Sequence, residues 1–400
     1  MSDVAATRRG GWFGLVSATA TAVVVGFAST ILLIMEAARA VGASPAQQAS
    51  WAAALCFGMA ATSLILSWRY RMPIITAWST PGAALIATSA AGVSYPNALG
   101  AFVVAGLLMT IAGLIKPLEQ AIEKIPAPLA SAMLGGVLFH YAMNVPGAAV
   151  AMPAVVLPLI VVFFALRLSI PLFAVPVIVV AGVAAAMLTG AAPDCCAIGV
   201  TRLEWTTPTF DATTIVSLGI PLFLVTMASQ NLPGFAVLRA SGYQPPVAPS
   251  LLVTGIGSML LAPFGSHAIN LAAITASIVT GPEAHPDPGK RWLVAWPYLV
   301  LYSAVGLAAA SFVHILGSLP PPLITAIAGL ALFSPLMGSL TAMMKAPRDI
   351  ESALVTFLVT ASGITLFGVG SAFWGLMAGM VLFGARHLRD IVGQNRNRSG

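Results

Sequence analysis

Long apolar runs joined by short polar connections are the feature that most limits how this 400-residue chain can fold. A helix needs about 20 apolar residues to cross the hydrocarbon core of a membrane, and the runs are about that long. Charged residues make up 8% of the chain, which is too few to cover a soluble protein of this size. The runs are also too long for the strands of a membrane barrel. The sequence therefore predicts an all-α polytopic protein of the lipid bilayer.

Charged residues, Pro and Gly divide the chain into about 14 predicted transmembrane segments, in two sets of seven. The predicted order is a cytoplasmic tail at 1–12, a first set at 13–190, an outer connection at 191–210, a second set at 211–388 and a cytoplasmic tail at 389–400. The segments of the first set are expected near 13–38, 49–68, 73–90, 97–115, 128–145, 149–166 and 170–190. Those of the second set are expected near 211–238, 247–262, 263–280, 292–314, 321–344, 350–369 and 371–388.

The distribution of positive charge predicts the orientation. With these segments and an internal N-terminus, all of the 18 Lys and Arg except Arg39 and Arg202 fall on the cytoplasmic side. Such a bias follows the positive-inside rule. If the interrupted segment 73–90 did not cross, Lys116, Lys124 and Arg167 would lie outside, so we expect it to cross. Both termini are therefore predicted to be cytoplasmic.

The two sets are related in sequence. At an offset of 200, residues 16–45 match 216–245 at ten positions, and at an offset of 194, residues 125–139 match 319–333 at seven of fifteen. Because each repeat has an odd number of segments, the second would be inverted in the membrane. Inverted repeats with interrupted segments are typical of secondary transporters.

The third segment of each set is the most interrupted. In the first, an extended stretch leads to Ser79-Thr-Pro-Gly82, which is typical of a capped helix start. In the second, Pro263-Phe-Gly-Ser-His267 is expected to do the same, with an offset of 188 between the two helices. Two half-helix ends inside the membrane would offer free N–H groups to a carboxylate. The alternative is that each interruption is a proline kink that serves only helix packing. The site residues expected here are Ser79, Thr80, Gly82, Gly265, Ser266, His267 and Asn270.

Four polar or ionisable side chains inside the segments are further candidates. Gln230 and Asn231 would be costly in lipid without a partner, so we expect each to bind either the substrate or another helix. His267 is the first candidate for the proton carrier and Glu36 is the second, because ionisable groups within membrane segments are rare and informative. The alternatives are a core histidine with satisfied hydrogen bonds for His267, and an interfacial ion pair with Arg39 for Glu36.

Other classes of function find little support. The basic residues stand singly or in pairs, so the net charge of +6 does not indicate nucleic-acid binding. Neither a phosphate-binding motif nor a metal-ligand spacing occurs in the sequence, and we expect no cofactor and no metal. An enzyme would need clustered His, Asp or Glu at one face, and the connection at 191–210 contains no His. We therefore expect the protein not to be an enzyme.

The stretch Ala262-Pro-Phe-Gly-Ser-His-Ala-Ile-Asn-Leu-Ala-Ala-Ile-Thr-Ala276, together with residues 363–379, resembles the benzoate/proton symporter family. This family is related to the uracil and nucleobase–ascorbate transporters and to the sulfate-type anion exchangers. The resemblance covers nearly the whole chain, including residues 72–82. It implies a seven-plus-seven inverted repeat, with a core domain and a gate domain that each draw on both repeats, and a substrate between the third and tenth segments.

The resemblance also implies uptake of benzoate or a similar aromatic carboxylate with a proton, in a bacterial-type cytoplasmic (inner) membrane. One departure concerns the eighth and tenth segments, where uracil-type carriers have acidic residues and this chain has neutral ones such as Gln230 and Asn270. A neutral lining fits an anion better than a nucleobase. Another organic anion, a nucleobase, an inorganic anion and a channel-like pathway stay open as alternatives. A homodimer is compatible with the small residues of Gly375-Leu-Met-Ala-Gly379, which could equally pack within one protomer.

Overall fold

The computed structural model describes residues 2–90, 92–115, 126–188, 199–366 and 369–398. Within these ranges, six helices are long and apolar enough to cross a membrane. A seventh span results if Pro288–Leu307 and Ala309–Gly317, which are bent by 52°, count as one. The prediction of a mostly helical polytopic membrane protein is thereby confirmed. The larger number of crossings and the inverted repeat stay predictions.

Among its described residues, the first half of the chain contains helices and one short strand. Its elements are α1 (Ser2–Ala40), α2 (Pro45–Tyr70), β1 (Thr76–Trp78), α3 (Thr80–Ser89), α4 (Tyr95–Leu114), α5 (Ala127–Ala142), α6 (Asn144–Ala151), α7 (Pro153–Ser169) and α8 (Ala174–Leu188). Ser44 starts α2 with a capping box, in which its side chain and that of Gln47 each accept the other's backbone N–H. Helix α1 begins at Ser2, so it includes most of the tail predicted at 1–12. Lys116, Lys124 and residues 189–198 lie outside the described ranges.

The second half of the chain also consists mainly of helices, with three short strands among its described residues. Its elements are α9 (Ala212–Ala240), α10 (Val247–Leu261), β2 (Ile269–Leu271), α11 (Ile274–Thr280), α12 (Ala295–Leu307), α13 (Ala309–Gly317), α14 (Pro321–Ala331), α15 (Phe333–Met344), α16 (Ile350–Ala361), β3 (Thr365–Leu366), β4 (Val369–Gly370) and α17 (Ser371–Arg398). Helix α9 contains two π-helical turns, Ile215–Gly219 and Met227–Asn231. Such turns often mark functional sites.

Strands β1 and β2 pair antiparallel. Thr76 lies opposite Leu271, Ala77 opposite Asn270 and Trp78 opposite Ile269. Because the strands run in opposite directions, the chain enters α3 and α11 from opposite ends of the pair.

The hydrogen bonds to the preceding helices are also alike in the two halves. Ser63 of α2 accepts the N–H of Thr76 at 2.8 Å, and Ser258 of α10 accepts the N–H of Ile269 at 2.8 Å. Thr76 and Ile269 are the first residues of their strands. The two interrupted regions are therefore built on one local plan.

The structure corrects the predicted alignment of these two regions. The central pair, Ala77 and Asn270, lies 193 residues apart, which is close to the offset of 194 between 125–139 and 319–333. The offset of 188 is therefore wrong, and so is a helix start beside Gly265 and Ser266, because α11 begins at Ile274. The pairing of β2 with β1 keeps residues 269–271 extended, and this delays the second helix.

The helices pack as two groups. Helices α1 to α4 and α9 to α13 surround the strand pair, with α4 along α10 and α2 along α12. Helices α5 to α8 and α14 to α17 form the other group, in which α5 packs on α15 and α16. The groups meet where α1 contacts α8 and α14, and where α3 contacts α5.

The small residues of α17 serve a contact within the chain. A Cβ on Gly375 or Gly379 would overlap the hydroxyl of Thr360 or Thr356 on α16. Only glycine allows α16 and α17 to approach this closely. Their spacing is thus explained without a second protomer.

Candidate functional site

Ser79 organises the start of α3. Its Oγ accepts hydrogen bonds from the Gly82 N–H at 3.0 Å and from the Thr226 hydroxyl at 2.9 Å. Its carbonyl oxygen accepts the Ala83 N–H at 2.8 Å. The helix cap predicted from the sequence is therefore present, with Pro81 in the first turn. Because Ser79 is buried and its hydroxyl is already hydrogen-bonded, it shapes the helix end and does not line the cavity described below.

His267 connects the two interrupted regions. Its Nδ1 lies 3.1 Å from the indole Nε1 of Trp51, which donates, and its Nε2 lies 2.8 Å from the Ser79 carbonyl oxygen. A carbonyl oxygen can only accept, so Nε2 carries the hydrogen and Nδ1 accepts from Trp51. The imidazole is therefore neutral and fully buried, with both nitrogens in use.

Asn231 and Asn270 hold the strand pair in place. The Asn231 side-chain oxygen accepts the Leu271 N–H at 2.9 Å, which ties the second π turn of α9 to β2. The Asn270 amide, in the orientation that satisfies both of its ends, accepts the Ser79 N–H and donates to the Leu271 carbonyl oxygen, each at 2.9 Å. Both side chains are buried. Each of them thus bonds to the protein.

Gly265 lies against Trp51 of α2, and Ser266 follows it in the chain. Gly265 has a φ of 104°, and a Cβ there would lie 2.7 Å from the Cβ of Trp51. Ser266 is buried, and its hydroxyl has no hydrogen-bond partner in the described structure. Gly82 is buried too, and a Cβ there would lie 2.5 Å from Leu222 Cδ1. Gly82 and Gly265 both lie near the strand pair. They allow close packing there, and neither of them lines the cavity described below.

A cavity of about 590 Å³ lies beside the strand pair of β1 and β2, where the two groups of helices meet. We call the strand pair and the residues bonded to it the junction. This volume falls within the range of about 300–1,000 Å³ usual for small-molecule sites. One group supplies residues of α1, α2, β1, α9 and α12 and of the starts of α3 and α11. The other supplies residues of α5, α8, α14 and α15. Of the site residues predicted from the sequence, Thr80 and Gln230 line this cavity.

The cavity has an aromatic side. The rings of Trp78 and Tyr302 meet edge to face, with centroids 6.3 Å apart. The indole N–H of Trp78 donates to the Thr30 hydroxyl at 2.7 Å, which fixes the orientation of the ring. An aromatic ligand could pack against this pair.

The polar groups of the cavity are uncharged. Ser229, next to Gln230 in the same π turn, has a buried hydroxyl without a hydrogen-bond partner in the part of the chain that the structure describes. Thr80 adds a hydroxyl at the start of α3. Among the described residues that line the cavity, none is Asp, Glu, Lys, Arg or His. The site therefore offers hydroxyl and amide groups to a ligand without a fixed charge.

Sequence reasoning missed Ser229 and Tyr302. Ser229 precedes Gln230, and its position could have been inferred once Gln230 was chosen. Tyr302 stands in an apolar helix, and no local signal separates it from the other aromatic residues of that segment.

A second cavity, of about 180 Å³, lies where α1, α3, α5, α6 and α14 meet. Its lining includes Glu36 from one group of helices and His140 from the other. Glu36 also forms the ion pair with Arg39 that the sequence suggested, at 3.0 Å. Within the ranges that the structure describes, no three His, Cys, Asp or Glu side chains are grouped as metal ligands.

Comparisons with known proteins were made by sequence and by structure. Residues 13–384 match the family model described as benzoate membrane transport protein. The chain is 38% identical over 376 residues to the inner membrane protein YdcO of Escherichia coli (strain K12), which covers 94% of this chain and 96% of that protein. It is 30% identical over 363 residues to the benzoate membrane transport protein of Acinetobacter baylyi, with coverage of 90% and 92%.

Two solved structures share the fold. The transmembrane domain of a cyanobacterial bicarbonate transporter, BicA, has a TM-score of 0.60 at 15% identity, over 92% of this chain and 97% of that one. The murine anion transporter Slc26a9 in its inward-facing state has a TM-score of 0.62 at 12% identity, over 96% and 68%. Identities this low indicate a common fold and nothing finer.

Proposed function

The chain belongs to the benzoate membrane transport protein family, and on this premise we propose that it takes up benzoate or a similar aromatic carboxylate together with a proton. It is an integral membrane protein and a transporter, not an enzyme. The proposed location is a bacterial-type inner membrane with both termini in the cytoplasm, and the proposed architecture is the inverted repeat of about 14 segments. A homodimer is compatible with this proposal.

The observation that carries the proposal is the cavity between the two groups of helices. It combines the aromatic pair of Trp78 and Tyr302 with hydroxyl and amide groups of Thr80, Ser229 and Gln230. An aromatic carboxylate has the matching parts, a flat apolar ring and a group that accepts hydrogen bonds. The ring would pack on the aromatic side, and the carboxylate would accept hydrogen bonds from the polar side.

The start of α3 adds to the polar side. This helix has ten residues, and Thr80 and Pro81 of its first turn line the cavity. The N-terminal end of a helix carries a partial positive charge that favours an anion. Helix α11 has seven residues and contributes Thr275 to the wall, so we assign the favourable dipole to α3 alone.

The neutral lining supports coupling to a proton. An anion that moves inward works against the membrane potential by about 2.3 kcal/mol per charge for every 100 mV. A co-transported proton makes the transported complex neutral and removes this opposition. A nucleobase carrier of the related type would need acidic groups, and among the described residues of this wall none is acidic.

The sequence favours His267 as the proton carrier, but both of its ring nitrogens are hydrogen-bonded, so we infer that Glu36 carries the proton and that His267 positions α3. Protonation of the His267 imidazole at Nδ1 would end the hydrogen bond from Trp51 and place a charge in the buried core. Glu36 lies where the two groups of helices meet, in the cavity that also contains His140. A proton bound there would change the contact between the groups, and this could couple protonation to alternating access.

The antiparallel strand pair and the two groups of helices support the proposed mechanism of transport. In this mechanism the group around the strand pair is the core domain, and the group of α5 to α8 and α14 to α17 is the gate domain. Movement of one against the other would open the 590 Å³ cavity first to one side and then to the other.

The test uses purified protein in lipid vesicles with a pH gradient, acidic outside, and radiolabelled benzoate. We expect benzoate to accumulate faster and to a higher level than in protein-free vesicles under the same gradient, and a protonophore to abolish this difference. Excess unlabelled uracil or sulfate should compete poorly. Equilibration without accumulation would indicate a channel-like pathway, and stronger competition by uracil or sulfate would indicate another cargo.

The proton carrier is tested with Glu36→Gln and His267→Gln in the same vesicles. We expect Glu36→Gln to exchange benzoate across the membrane but to lose the response to the pH gradient, and His267→Gln to retain that response. Glu351→Gln is the matched control, because Glu351 also pairs with an arginine, Arg386, but lines neither cavity. The opposite pattern would assign the proton to His267.

A further inference from the structure

Arg167 lies at the edge of the large cavity without being part of its wall. It stands in the last turn of α7, and its Nη1 donates a hydrogen bond of 2.7 Å to the Ser334 hydroxyl. Ser334, at the start of α15, does line the cavity. One serine side chain therefore connects the neutral cavity to a guanidinium group.

Two aromatic rings hold this guanidinium group in place. Its Cζ lies 4.9 Å from the ring centroid of Phe333 and 5.8 Å from that of Phe163. Arginine interacts favourably with aromatic faces at such distances. The side chain is half-buried between these rings, and it is thus pre-organised beside the cavity.

The positive charge of Arg167 is not neutralised by the residues that the structure describes. The ion pairs among them join Glu36 to Arg39, Asp287 to Lys290 and Glu351 to Arg386, and none includes Arg167. A guanidinium group has five N–H donors, and the bond to Ser334 uses one of them. An anion at the cavity edge would find both a charge and unused donors.

Ser334 is suited to the same ligand. Its hydroxyl oxygen accepts the hydrogen bond from Arg167, which leaves the hydroxyl hydrogen available for an acceptor. A carboxylate could therefore accept from the serine through one oxygen and from the guanidinium through the other. Paired contacts of this kind are the strong ones for carboxylates.

We propose that Arg167 and Ser334 form a carboxylate subsite at the cytoplasmic end of the cavity, where the substrate anion binds just before its release. This inference rests on the proposed function and on the proposed orientation, in which the end of α7 faces the cytoplasm. Once the proton has left, the substrate is an anion and gains from a fixed positive charge. The subsite would therefore favour the deprotonated substrate on the inner side.

The test measures benzoate transport from each side separately, in vesicles sorted by protein orientation. We expect Arg167→Gln to raise the half-saturating benzoate concentration on the cytoplasmic side by about tenfold, as expected for the loss of a charged hydrogen bond. The value on the outer side should change less than about twofold. Ser334→Ala should give a smaller rise on the same side, and Arg167→Lys should fall between wild type and Arg167→Gln.

Arg69→Gln is the matched control for surface charge. Arg69 is an exposed arginine at the end of α2, its guanidinium lies over Tyr70 at 5.3 Å, and neither residue lines the cavity. It lies on the same proposed side of the membrane. Equal effects of Arg69→Gln and Arg167→Gln would overturn the subsite, and so would an unchanged cytoplasmic value in Arg167→Gln.

Two further comparisons distinguish the subsite from a folding defect and from lipid binding. If Arg167→Gln does not fold, the sidedness of Ser334→Ala and Arg167→Lys decides the question. If the effect of Arg167→Gln occurs only with anionic lipids and disappears with phosphatidylcholine alone, the arginine binds an anionic lipid headgroup and the subsite is refuted. Failure of the wild-type protein to accumulate benzoate tests the proposed function instead, because that readout needs no variant.

Discussion

The two interrupted regions share the order of a short strand followed by a helix, but they differ in the groups that they expose to the cavity. In the first, β1 leads after one residue into α3, whose start is capped by Ser79 and lines the cavity. In the second, β2 leads into the shorter α11, which has no side-chain cap. The polar residues before α11, above all His267 and Asn270, bond to the first region. The first region thus presents a capped helix end and Trp78 to the cavity, whereas the second contributes Ala273 and Thr275 to its wall and mainly supports the first.

The largest effect is expected at Gly265 in the supporting region. Gly265→Ala would place a side chain at a φ of 104° and within 3 Å of Trp51, at about 1–2 kcal/mol for the backbone and about 1–3 kcal/mol for the overlap. We expect a large drop in the thermal unfolding temperature of the detergent-solubilised protein.

Gly242→Ala is the control for this prediction. Gly242 also has a positive φ, of 86°, but a Cβ there meets nothing within 4 Å. This variant should lose only the backbone contribution. Equal losses in the two variants would mean that the contact with Trp51 does not matter, and the supporting role of this region would then be in doubt.

The next effect concerns the bond between Trp51 and His267. Trp51→Phe and His267→Gln should each lower the free energy of unfolding by about 1–3 kcal/mol. Each variant removes the hydrogen bond between the two side chains and leaves the remaining buried partner without it. A double-mutant cycle should show that the two losses are not additive. Full additivity would contradict a direct bond and would leave His267 free for another role.

Gln230 and Asn231 permit a comparison between neighbours in one π turn. Asn231→Leu should destabilise the protein by about 1–3 kcal/mol, because the Leu271 N–H then loses its acceptor. Gln230→Leu should leave the unfolding temperature nearly unchanged and weaken benzoate binding by about tenfold. Thermal unfolding and binding calorimetry distinguish the two, and a reversal of the pattern would exchange their roles.

The smallest effect is expected at the cap of α3. Ser79→Ala removes the acceptor for the Gly82 N–H and should cost about 1 kcal/mol, with a modest loss of benzoate affinity. Ser79→Thr keeps a hydroxyl and should restore part of both quantities. If Ser79→Ala changes stability but not affinity, the helix end does not contribute to the anion site.

The membrane class and the first interrupted region could be predicted because their signals are local. Apolar length defines a span, and Ser79-Thr80-Pro81 contains a cap and a helix start in consecutive residues. Thr80 and Gln230 were found as cavity residues because a polar group inside a span is conspicuous.

The second interrupted region could not be predicted in the same way. Its strand exists through pairing with β1, which lies nearly 200 residues earlier in the chain, and no local pattern reports such a partner. Tyr302 and Ser229 join the cavity because two groups of helices meet there. Arg167 gave only a topology signal in the sequence, and its contact with Ser334 depends on how α7 packs beside α15.

The strand pair also bears on how such a carrier can change over evolutionary time. Its hydrogen bonds join backbone atoms, so they persist through most exchanges of the flanking side chains. Residues of the cavity wall such as Trp78 and Tyr302 can then be replaced one at a time without loss of the frame that holds the junction. A lineage could in this way acquire a new cargo by a few substitutions while it inherits the scaffold intact.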